Sequence, residues 1–162
     1  MLEKRYAMRE GGYDDLAAAE VEVAMEALTG RAAHTTSDPA PAATAAAPGD
    51  PLRDDSADAL VTRIAGHLAA RRAVVLSIRG SFPARLRAEA RSLDLVDNHA
   101  YAVVRVGADG VTLHNPWGER HPHGTLTGAQ IKRLFTALVF GDSLTGPNAS
   151  PPTLPPATAA FR

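Results

Sequence analysis

The chain has 162 residues, with 17 Lys and Arg against 18 Asp and Glu, a formal net charge of -1 and a pI near 6.6. This length fits one domain, and this balance offers no global basic field to recruit nucleic acid. Cysteine is absent, which excludes a disulfide framework and a thiolate metal site. No apolar run approaches the ~18–20 residues of a membrane span, and no apolar h-region opens the chain, so the expected location is the cytoplasm.

Residues 1–34 are expected to form a helical block. Asp14 or Asp15 can cap a helix whose apolar face is Ala17, Val21, Ala24, Met25 and Leu28, with Gly30 closing it. Thr35 to Pro51 is rich in Ala, Pro and Thr without apolar periodicity, so residues 35–55 are expected to be a flexible linker or long surface loop. A sheet-bearing subdomain over residues 56–143 follows. Ser56 can cap a helix carrying Leu60, Val61, Ile64 and Leu68 at helical spacing, and Arg71 and Arg72 suit its negative end. Ala73 to Ile78 is an apolar run of strand length. Pro83 suits the first turn of a helix running to about Ser92, where Arg85, Arg87, Arg91 and Glu89 form a solvated charged face. His99 to Val106 and Val111 to Asn115 are two strands around Gly107-Ala108-Asp109-Gly110. Thr127-Gly128-Ala129-Gln130 is a capping box opening a helix through Phe135, and Ala137 to Phe140 is a final strand. Residues 144–162 form a Pro-rich tail expected to be disordered. Antiparallel strands with helices outside them give an α+β class.

His99 opens the apolar strand HAYAVV, and Asn115-Pro116-Trp117-Gly118 follows 16 residues later. Taken singly these are ordinary features: a polar residue at a sheet end, an Asn-Pro turn, a packing aromatic. Further motifs accompany them in order. Glu3-Lys4-Arg5-Tyr6-Ala7, Gly12-Tyr13-Asp14-Asp15-Leu16 and Glu26-Ala27-Leu28-Thr29-Gly30 precede His99-Ala100-Tyr101. The set resembles the calpain family of papain-like cysteine peptidases, over roughly residues 2–34 and 73–140. His121-Pro122 and the segment Leu126 to Phe135 resemble its bacterial members.

The resemblance implies part of a papain-like cysteine proteinase fold, with helices and an antiparallel sheet carrying the His/Asn half of the site. It makes His99 the general base and Asn115 the neutral partner that fixes its tautomer and orientation. Trp117 would cover the His–Asn hydrogen bond, Tyr101 and Val103 would pack beneath the base, and Pro116 and Gly118 complete the supporting motif. The family's oxyanion Gln and nucleophilic Cys lie upstream of the segment matched by Glu3 to Ala7. The chain is therefore expected to be the C-terminal part of a peptidase domain, inactive alone, with a polypeptide substrate and an upstream Cys-bearing segment as partner. The other reading is a non-catalytic pseudo-peptidase that binds peptide or protein.

Two hairpin registers are possible. A turn on Gly107-Ala108 places Asn115 across from Ala100, beside His99. A turn on Asp109-Gly110, the stronger local signal, places it across from Val104, about 16 Å along the strand from His99. The expectation is the first. His114, His121 and His123 suggest a zinc site, but His114 should point away from Asn115 by strand alternation and no carboxylate joins them reliably, so no metal is expected. Glu119-Arg120-His121-Pro122-His123 lacks the carboxylate cluster that calcium needs, and no cofactor is expected. Apolar surface should be exposed beside His99 and along Tyr6, Met8 and Leu16, where a partner lobe would sit.

Overall fold

The computed structural model describes residues 21–35 and 51–144. The expected cap at Asp14 or Asp15, the side chains of Tyr6, Met8 and Leu16, and nearly all of the Pro-rich tail lie outside the described residues, as does the stretch 36–50. The described elements are α1 (Val21–Thr29), β1 (Ala33–Thr35), α2 (Pro51–Asp54), α3 (Ala57–Ala69), β2 (Val74–Ile78), a 3-10 turn (Ala84–Leu86), α4 (Arg87–Ser92), β3 (His99–Gly107), β4 (Gly110–His114), α5 (Gly128–Leu134) and β5 (Ala137–Gly141). All strands pair antiparallel in one five-stranded sheet, in the order β1-β5-β2-β3-β4. The class is α+β, as expected. Among the described residues no helix is long and apolar enough to cross a membrane.

Local chemistry sets the helix boundaries. Gly30 ends α1 with a positive φ of 66°, its N–H donating to the Glu26 carbonyl at 2.8 Å. Ser56 Oγ accepts from Ala59 N at 3.2 Å at the start of α3, satisfying one of the orphan donors of the first turn. Thr127 and Gln130 form a complete capping box on α5. Leu60 and Ile64 of α3 and Ile131 of α5 are fully buried. They share one core with Leu76, Tyr101, Val103, Val111, Leu113 and Leu138 from the sheet.

Two expectations fail. Residues 35–55 are not all linker. Thr35 ends β1, paired with Val139, and residues 51–54 form α2, whose Leu52 is only 6% exposed and joins the core. Pro51 supplies the fixed φ that suits a first helical position, and Lys132 Nζ donates to the carbonyls of Arg53 and Asp55, tying α2 to α5. A four-residue turn and a three-residue strand are too short to show a period. The helix expected after Pro83 is also divided. Pro83 is the residue before the turn, extended at ψ 147°, and the chain passes through the 3-10 turn before α4.

Candidate active site

The hairpin β3–β4 builds the site, and its register differs from both sequence alternatives. Gly107 pairs with Gly110, so the turn residues are Ala108 and Asp109, not Gly107 and Ala108. Gly110 has φ 123°, and a Cβ there would lie 2.6 Å from the Leu126 carbonyl oxygen. Glycine therefore permits the two hydrogen bonds between Val111 and Leu126 that cover the outer edge of β4. A regular ladder from this turn would set Asn115 opposite Ala102, on the sheet face away from His99. A β-bulge intervenes between Val103 and Arg105. Val104 is the extra residue, and its side chain is 56% exposed. Beyond the bulge Val103 faces Leu113 and Ala102 faces His114. Alternation then brings Asn115 to the His99 face, beside Tyr101. His99 and Asn115 meet, but by the bulge and not by the expected turn.

The His99 ring Nε2 lies 3.0 Å from Asn115 Oδ1. Asn115 is fully buried, and its amide orientation is fixed by two further bonds. Oδ1 also accepts from Trp117 N at 3.0 Å, and Nδ2 donates to the Arg120 carbonyl at 3.1 Å. The oxygen must therefore face His99, so Nε2 is the donor and carries the proton. This assigns the tautomer: Nδ1 holds the lone pair and is the basic nitrogen. Among the described residues no hydrogen bond engages Nδ1. The arrangement can accept a proton at one fixed point and stabilise the resulting imidazolium through Nε2–H.

The supporting residues divide by role. The Trp117 ring lies over His99 at 4.3 Å between centroids, tilted 43°. It covers one face of the imidazole yet is itself 55% exposed, so apolar surface is open beside His99. Tyr101 meets the His99 ring edge-on at 4.9 Å and is fully buried. Its hydroxyl accepts from Val96 N at 2.9 Å, and burial pushes its pKa up. Pro116 and Gly118 shape the turn after β4: Gly118, at φ 78°, donates its N–H to the Asn115 carbonyl at 3.0 Å. Asp97 and Asn98 are exposed, as expected for the loop into β3. They are also structural, since Asp97 Oδ1 accepts from Phe82 N at 2.8 Å and Asn98 Oδ1 from Gly80 N at 3.3 Å.

His121 belongs to the His114, His121 and His123 group that the sequence offers as metal ligands, but the structure gives it a different place. Its ring is exposed, but Nδ1 accepts from Asn115 N at 3.0 Å, and the ring stacks on His114 at 4.3 Å. Arg120 contributes its carbonyl to Asn115 and pairs with Asp94 at 3.0 Å. Neither role leaves a trace in residue spacing, because both depend on the turn folding back through a positive φ of 50° at Arg120. Among the described residues no three His, Cys, Asp or Glu side chains converge as metal ligands.

A family model describing calpain family cysteine proteases matches residues 1–130. The chain belongs to the calpain family. No curated protein matches it. The matched span contains β2, β3, β4 and the whole His99–Asn115 pair, and it stops within α5. The family's activity is proteolysis by a cysteine nucleophile, while these 162 residues contain no cysteine. A calpain-family chain thus sets the His99 imidazole against the Asn115 amide, with no thiol among its 162 residues.

Proposed function

We propose that the chain supplies the base half of a calpain-type cysteine endopeptidase site, with His99 as general base and Asn115 as its orienter. The nucleophile would be a cysteine carried by a polypeptide segment outside this sequence, and the substrate an unfolded or extended polypeptide. In the proposed reaction His99 Nδ1 takes the thiol proton, and the thiolate attacks the scissile carbonyl to form a tetrahedral intermediate. Nδ1–H then protonates the leaving amine as the peptide bond breaks. Water, deprotonated by the same nitrogen, hydrolyses the thioester and restores the thiol. Throughout, Asn115 Oδ1 holds Nε2–H, so the ring neither turns nor changes tautomer. Trp117 shields that bond on one side, and a partly dry hydrogen bond holds the ring more firmly than a wet one.

One observation carries this reading: the 3.0 Å bond from His99 to an Asn115 amide whose orientation two other bonds fix. The test is co-purification with a Cys-bearing calpain-family segment encoded beside this chain, assayed on a fluorescent unfolded protein. The chain alone should show no turnover. The pair should cleave, and both Cys→Ser in the partner and His99→Ala here should abolish cleavage. Turnover by the chain alone that survives His99→Ala would refute the assignment.

The absence of cysteine favours a second reading, a non-catalytic module that keeps the cleft wall and binds polypeptide. It would be preferred if the chain alone binds an unfolded polypeptide and no Cys-bearing segment confers turnover.

A further inference from the structure

We infer that His121 is a positioning residue of this site, acting on His99 through Asn115; the inference rests on His99 and Asn115 being base and orienter. Asn115 is fully buried, so water does not serve its backbone N–H. The acceptor is His121 Nδ1, at 3.0 Å. An acceptor at Nδ1 must hold a lone pair there, which makes His121 the neutral Nε2–H tautomer. Two features fix the ring. His114, the last residue of β4, stacks on it at 4.3 Å with 29° between planes. On the C-terminal side, Pro122 is buried and His123 N donates to the Leu93 carbonyl at 3.1 Å.

The turn from 115 to 121 therefore closes around one residue. His121 holds the Asn115 N–H, Gly118 holds its carbonyl, Arg120 holds Nδ2 and Trp117 N holds Oδ1. Asn115 follows the end of β4, where the ladder to β3 has stopped, so β-pairing does not fix its backbone. The His121 bond replaces the missing ladder bond. Remove it, and the buried N–H must turn to find another partner, carrying Oδ1 away from His99. His121 touches neither His99 nor a reacting atom, so its effect passes entirely through the tautomer and orientation of the base.

Nitrogen-15 NMR of the intact chain tests this with two variants. His121→Phe keeps a ring to stack on His114 and removes the acceptor. His121→Asn loses the ring and places an amide oxygen near the position of Nδ1. In the native chain a through-hydrogen-bond coupling between Asn115 N and His121 Nδ1 should be seen, and His99 should be in the Nε2–H form. His121→Phe should reduce the Nε2–H preference of His99 by about three- to tenfold, the ratio that one net neutral hydrogen bond supports, and His121→Asn should restore most of it. An absent coupling, or a His99 tautomer ratio unchanged in His121→Phe, overturns the inference. A coupling that is present while native His99 is in the Nδ1–H form overturns the reading of His99 as base, and with it any positioning role for His121.

Discussion

Truncating Asn115 to alanine should be the most damaging single change at the site, and the structure says by how much. The side chain makes three hydrogen bonds: to His99 Nε2, to Trp117 N and to the Arg120 carbonyl. Each is worth about 0.5–1.5 kcal/mol net, more where a buried group is stranded. Trp117 and Arg120 are exposed and can turn to water, so the sum falls at about 2–3 kcal/mol. Taken over the roughly one hundred described residues, that lowers Tm by about 10–20 °C. His99→Ala loses one of these bonds and the ring contacts with Tyr101 and Trp117, about 1–2 kcal/mol on the same basis. The two changes share the His99–Asn115 bond, so the double variant should be less destabilised than the sum by about 1 kcal/mol. Urea unfolding followed by circular dichroism measures all four corners of the cycle, with a constant m-value confirming a common transition. Additivity to within about 0.3 kcal/mol would show that Asn115 does not hold His99, and the tautomer argument would fall with it.

Tyr101→Phe removes only the hydroxyl that accepts from Val96 N. It should cost about 1–2 kcal/mol by urea unfolding, because the Val96 N–H is left without its partner. Burial raises the Tyr101 pKa above 10.0, so the folded state favours the neutral phenol. Its contribution is complete below pH 10 and is lost as pH rises through the raised value. Stability measured from pH 9 to 11.5 should fall in the native chain and fall less in Tyr101→Phe. His67, stacked on Phe140 at 4.0 Å, has its pKa lowered below 6.5 by burial first and then by Arg72 and Arg63. The unfolded chain therefore binds the proton more readily, and stability should decline as pH falls below about 6.5; His67→Gln should flatten that decline, and an unchanged slope would refute the assignment. Gly128→Ala would drive a methyl into the Ala57 carbonyl where α3 and α5 begin. A loss of about 1–3 kcal/mol is expected from the forced shift, and a Tm equal to the native one would mean that the helices can separate freely.

The elements that could be read from sequence were those with their own local chemistry. Ser56 and the Thr127–Gln130 box mark their helices because a side-chain oxygen at that place satisfies an orphan N–H in any context. Alternation along a strand, which needs no tertiary information, puts Tyr101 and Val103 on the same face as His99. What escaped was tertiary in origin. Residues 33–35 form a strand because β5 offers them an edge, and Pro51–Asp54 coil because Leu52 has a core to enter and Lys132 meets their carbonyls. His121 becomes part of the site only when Arg120 turns the chain back.

The hairpin register is partly present in the sequence, in Arg105. Strict alternation from His99 puts Tyr101, Val103 and Arg105 on one face, and that face is the core. An unpaired guanidinium buried there would cost several kcal/mol at least, whereas one extra residue on one strand costs a local break in the ladder. The bulge at Val104 resolves the conflict. It turns Arg105 outward, where it pairs with Asp109 at 3.0 Å, and lets Val106 pack against the core in its place. The same one-residue shift reverses the facing of β4 relative to the start of β3, because side chains alternate with period two. Without it, Leu113 would leave the core and Asn115 would point away from His99. The outward pairing of Arg105 and the meeting of His99 with Asn115, sixteen residues apart in sequence, are thus two consequences of one backbone irregularity. A charged residue falling on the buried parity of a hairpin strand, with core-seeking residues such as Val103 and Val106 before and after it, is the sequence signature of that irregularity.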